Sequence, residues 1–137
     1  MKYFLDTNVI SKLVKKDSEA IAKMKAITQE DAPEFYINRL VKLESLRAIP
    51  LTHKKLYTKT EETINLFREV EIKPSIYSEA IAFSRFCKSK GLNFGKCEAI
   101  DYLHFITAKD YNLTLISFDG DMEKLEEIYP KFKEENQ

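Results

Sequence analysis

The sequence predicts an α/β fold: a three-layer α/β/α sandwich around a central, mostly parallel sheet of four to five strands. Three observations predict it. Short apolar runs of strand composition alternate with longer stretches whose apolar residues recur at helical spacing. The first and last of these runs, residues 2–5 and 113–117, both lead into aspartate, where side chains of a parallel sheet face a crevice. Glycine and proline number only 3 and 4, so turns are few and regular elements fill most of the chain.

The elements follow in order. Residues 2–5 form the first strand, and Asp6 or Thr7 can cap a helix with Val9, Ile10, Leu13 and Val14 inward. A second helix starts at Asp17, carries Ile21, Met24 and Ile27, and stops before Pro33. Glu34 to Asn38 is a strand, placed to lie parallel to the first. Residues 40–48 read as a helix ended near Pro50, and Thr52 can cap another reaching Arg68. A short strand over 70–73 precedes a helix opened by Pro74 and closed by Gly91, with Ile76, Tyr77, Ala80, Ile81, Ser84 and Cys87 on one face. After a loop over 92–96, residues 98–111 form a helix, 113–117 a strand and 122–128 a last helix. Residues 130–137 read as a charged, frayed tail.

At 137 residues, 44% hydrophobic and 12% aromatic, the chain is expected to be one globular domain over 1–137 with a core of its own. Its 22 basic and 22 acidic residues cancel, which excludes a protein that coats nucleic acid by charge alone but leaves room for a local basic rim. Cys87 and Cys97 make neither a disulfide framework nor a zinc pattern and read as reduced thiols. No apolar run approaches the roughly 18 residues a bilayer span needs, and the first residues do not read as a signal peptide. A cytoplasmic location without membrane contact is expected.

The carboxylates point to a site. In a parallel sheet Asp6 and Asp119 would lie along one edge, with Asp121 two residues on, Glu44 on the helix after the second strand, and Asp101 in the first turn of an otherwise apolar helix. Taken singly, each has a plainer use. Asp6 reads equally as a cap or a ligand, Asp119 and Asp121 as turn formers beside Gly120, Glu44 as a partner of Arg47 or Lys42, and Asp101 as a first-turn acid. Together they would repel one another and be relieved by a divalent cation, and two such ions suit in-line attack on a phosphodiester.

The chain resembles the PIN-domain nucleases, most closely the small single-domain kind typified by VapC toxins. Four pieces carry the resemblance: the opening Tyr3-Phe4-Leu5-Asp6-Thr7-Asn8-Val9-Ile10-Ser11, Glu44 within Val41-Lys42-Leu43-Glu44-Ser45-Leu46, Asp101 leading into the last strand, and Ser117-Phe118-Asp119-Gly120-Asp121. The resemblance implies that Asp6, Glu44, Asp101 and Asp119, with Asp121 as a fifth member, bind one or two Mg²⁺ or Mn²⁺ ions. It implies that Asn8 and Ser117 orient them by hydrogen bonds. It further implies endonucleolytic cleavage of RNA, homodimerisation and silencing by a small antitoxin.

Lys12, Arg39 and Arg47 are the foremost candidates for phosphate contact, with Lys15, Lys16 and Lys42 beside them. Glu98 and His104 share part of the Asp101 helical face, and His104 reads as a packed histidine outside the catalytic set. A phosphatase that forms a phosphoaspartate is excluded because it needs a second aspartate where Asn8 stands. The remaining rival is a PIN fold that holds RNA or acts as a scaffold without cutting.

Overall fold

The computed structural model describes residues 1–92 and 98–136; Cys97 and all of the 92–96 loop beyond Leu92 lie outside them. The chain divides into two compact units, Met1–Glu71 with Asn112–Phe118, and Ile72–Tyr111 with Asp119–Gln137.

The first unit holds the sheet. Strand β1 (Lys2–Leu5) is followed by helices α1 (Thr7–Val14) and α2 (Ser18–Thr28), strand β2 (Glu34–Ile37), helices α3 (Arg39–Arg47) and α4 (Lys54–Ile64), strand β3 (Arg68–Glu69) and, much later, strand β4 (Thr114–Ile116). The four strands are all parallel in the order β3-β2-β1-β4. β1 is therefore central. Phe4 and Leu5 point to opposite faces and both are wholly buried, as a sheet covered on both sides requires.

Two expectations shift here. β3 lies two residues before the strand expected over 70–73, because the backbone pairs Arg68 and Glu69 with Tyr36 and Ile37, and both β3 side chains are exposed. Only Val70, whose N–H donates to the Ile37 carbonyl, carries the apolar signal. α4 starts after His53 instead of Thr52, with no side-chain cap, and stops at Ile64.

The second unit is helical: α5 (Pro74–Ser89), α6 (Ala99–Asp110) and α7 (Gly120–Glu135). α5 buries Ile76, Ala80, Phe83 and Cys87, a 4-3-4 spacing, and leaves Tyr77 and Ile81 exposed where the sequence placed them inward. Gly91 closes it at φ +68°, the left-handed conformation that suits glycine at a helix end. Burial pushes the Cys87 thiol pKa up, so it remains protonated and unreactive. α6 is buried from Tyr102 through Ala108, including His104 at 0% exposure, so His104 is the packed histidine expected.

α7 does not fray at Pro130. It runs on to Glu135 because Phe132 is buried, with its ring 5.0 Å from Phe83 and 5.5 Å from Phe86. Burying a phenylalanine and pairing its ring contributes about 3 kcal/mol, comparable to the helix penalty for proline.

Candidate active site

Parallel register builds the first half of the site. Leu5 pairs with Ile116, so the next residues, Asp6 and Ser117, emerge side by side at the carboxyl edge of the sheet. The Asp6 N–H adds one more rung by donating to the Ile116 carbonyl at 3.0 Å. Asp6 is 4% exposed, and its side chain accepts from the Thr7 N–H through Oδ1 at 2.8 Å and from Ser117 Oγ through Oδ2 at 2.9 Å. Ser117 Oγ in turn accepts from Asn8 Nδ2 at 3.1 Å, and Asn8 Oδ1 accepts from the Phe118 N–H at 3.1 Å.

Backbone amides anchor this chain at both ends. Phe118 N–H can only donate, so Asn8 presents its oxygen there and its NH₂ to Ser117, and Ser117 Oγ donates onward to Asp6. Thr7 N–H arrives from the other side. Asp6 thus accepts on both of its oxygens.

Glu44 joins through a side chain that the sequence reading left to cap the helix. Thr7 Oγ1 donates to Glu44 Oε1 at 2.7 Å, linking α1 to α3. Of the two residues the sequence offered as caps, Asp6 is the N-cap of α1, and it also takes the Ser117 bond. One aspartate does both because its two oxygens face different donors. Sequence reasoning also passed over Asn38. Continuing the β1–β2 register sets it level with Asp6, fully buried, and its side chain accepts from the Val41 N–H at 2.9 Å, fixing the start of the helix that carries Glu44. The legible signal was an asparagine directly after a strand and before a helical run.

In the second unit the acids sit at helix starts. Asp101 is the third residue of α6 and accepts from the Glu98 N–H at 2.8 Å in a capping box, so Glu98 is the N-cap. Asp119 caps α7, accepting from the Asp121 N–H at 3.0 Å, and Asp121 Oδ1 lies 3.5 Å from Lys124 Nζ.

The basic candidates separate. Arg39, Lys42 and Arg47 line one shallow groove in the first unit with Leu43, Leu46, Tyr57 and Glu69. Lys12 is elsewhere, its ammonium 4.9 Å above the Phe118 ring, with Lys23 at 5.2 Å.

The proposed donor set is carboxylate oxygen throughout, which suits a hard divalent cation such as Mg²⁺ or Mn²⁺. Among the described residues, however, no group of three or more His, Cys, Asp or Glu converges to hold a metal. No described helix is long and apolar enough to cross a membrane.

The PIN domain family matches residues 3–128 of the chain. No curated protein sequence matches it. Among the solved structures that share the fold are three described as follows. A structure described as FitAcB from Neisseria gonorrhoeae is 24% identical with a TM-score of 0.71, over 91% of this chain and 92% of that one. One described as VapBC2 from Rickettsia felis bound to a DNA fragment from their promoter is 16% identical with a TM-score of 0.75, over 91% and 93%. One described as a toxin–antitoxin complex from Klebsiella pneumoniae is 19% identical with a TM-score of 0.66, over 86% and 89%.

Proposed function

The chain belongs to the PIN-domain family, and from that premise we propose that it is a metal-dependent endoribonuclease, the toxin of a toxin–antitoxin pair. The observation that carries the reading is the buried Asp6 side chain, which accepts on both oxygens and takes one of those bonds from Ser117, far away in the sequence. A helix cap alone would not call for donors from the far end of the sequence.

In this reading Asp6, Glu44, Asp101 and Asp119, with Asp121, hold one or two Mg²⁺ or Mn²⁺ ions. Bound there, such ions lower the pKa of water and offset the charge that develops on a phosphodiester. The chain's own residues orient the ligands. Ser117 and Asn8 fix the plane of the Asp6 carboxylate, Thr7 fixes Glu44, and Asn38 sets the start of the Glu44 helix. Lys12, Arg39 and Arg47 contact RNA phosphates. The protein acts in the cytoplasm as one domain, pairs as a homodimer and is silenced by a small antitoxin. The last point is supported by fold-sharing structures described as a toxin–antitoxin complex and as VapBC2 on promoter DNA.

A second reading, an RNA-holding or scaffold protein without activity, is favoured by the lack of a converged acidic trio among the described residues. One experiment separates the two. Asp6→Asn is assayed beside the unaltered chain for Mn²⁺-dependent cleavage of single-stranded RNA. We expect cleavage by the unaltered chain and a loss of more than about 100-fold in the variant, larger than is typical for removing an outer-shell partner. Binding without cleavage by the unaltered chain, with any divalent ion, would establish the second reading.

A further inference from the structure

We propose that the groove lined by α3, Tyr57 and Glu69 is a docking site for single-stranded RNA. Tyr57 serves as a platform for an unpaired base, and Arg39, Lys42 and Arg47 hold its phosphates. The proposal deepens the ribonuclease reading and takes the nature of its ligand from it.

Charge is the first observation. The chain is neutral overall, yet residues 39–59 carry six lysines and arginines against a single acid, Glu44. This local excess is where a polyanion would be drawn. Lys54, Lys55 and Lys59 line a second shallow depression on α4, with Thr58 and Glu62.

Composition is the second. On α3, Leu43 is 57% exposed and has Arg39 and Arg47 one turn to either side, on the same helix face. Across the groove Tyr57 is 42% exposed. An exposed ring with guanidinium groups around it is the make-up of a base-stacking site on single strands. A paired base hides its faces within the helix, so a duplex could not use the ring. Three apolar side chains make too short a floor for an amphipathic helix.

Glu69 completes the groove. Its carboxylate pairs with Arg39 at 2.7 Å, with side chains 44% and 88% exposed. Such an exposed pair contributes little to stability but orients the guanidinium at the groove wall, where a phosphate can compete for it.

The full chain is titrated in EDTA, where nothing is cut, into a fluorescein-labelled 12-nucleotide oligouridylate and a 12-base-pair RNA duplex, and anisotropy is read. Single strand should bind about tenfold tighter than duplex, and Tyr57→Ala should weaken it about tenfold while Tyr57→Phe retains it. The Arg39→Ala/Arg47→Ala double variant should lower the slope of log K against log salt by about 1.4. An unchanged Kd for a folded Tyr57→Ala, equal or tighter duplex binding, or capture of an acidic amphipathic peptide in place of RNA would overturn the proposal. The two readings fail separately. A chain that binds through Tyr57 yet cuts nothing ends the ribonuclease reading and leaves the groove standing. One that cuts with the same KM in Tyr57→Ala does the reverse.

Discussion

Asp6 and Asp119 occupy matching places in the chain: each follows a strand, each is the N-cap of the next helix, and each accepts from that helix's first amides. Their settings differ. The bond Asp119 accepts from Asp121 N–H spans two residues, and any cap would make it. Asp6 is buried, and the bond it accepts from Ser117 spans 111 residues. A cap needs one acceptor and local geometry. Asp6 has two committed oxygens and a support reaching across the sheet, as expected of a side chain whose orientation matters beyond the helix it starts.

The comparison can be broken by making the same substitution at both sites. Asp6→Asn keeps an acceptor for Thr7 N–H and turns its NH₂ towards Ser117 Oγ, which must give up its donation and re-aim its proton in a buried site, at a cost of about 1.5 kcal/mol. Asp119→Asn keeps the acceptor that Asp121 N–H requires, and asparagine caps as well as aspartate, so its loss of stability should be the smaller of the two. Urea unfolding of the two variants measures both; equal losses would reduce Asp6 to an ordinary cap. A smaller effect sharpens the picture. Ser117→Ala removes the donor to Asp6 and the acceptor of Asn8, costing about 1 kcal/mol in the same titration. If Ser117 positions the carboxylate, RNA cleavage should also fall about 10- to 100-fold, with the Mn²⁺ concentration for half-activity raised. A stability loss with unchanged cleavage would make Ser117 a structural residue only.

Much of this was legible in the sequence. β1, β2 and β4 are apolar runs with abrupt ends, and their parallel pairing follows from the helices between them. Asp6 could be placed at the carboxyl end of a strand because the first apolar run stops there, while Asn8 and Ser117 entered only through the family resemblance. What escaped depended on contacts distant in sequence. Arg68 and Glu69 have no strand pattern and pair through backbone alone. The inward face of α5 is set by Phe83, whose ring meets Tyr102, Phe105, Tyr129 and Phe132 within 5.0–5.7 Å, while Tyr77 and Ile81 sit at equally plausible helical spacing. Pro130 signalled a stop, and only burial of Phe132 overrode it. Thr7 could have capped α1; that its hydroxyl instead reaches Glu44 depends on α3 lying beside α1.

The pairing order has a consequence for how the protein folds. β1 pairs with β2 about thirty residues on, but with β4 only after more than a hundred. Closing the longer loop costs about 1 kcal/mol more. Pulse-labelled hydrogen exchange during refolding should find the Asp6 amide, which donates to Ile116, protected after the amides of the β1–β2 ladder; simultaneous protection would refute this order. Asp6 therefore lacks the Ser117 support of its carboxylate until the β1–β4 pairing has formed. If the protein cuts RNA, activity should return on refolding no earlier than that pairing.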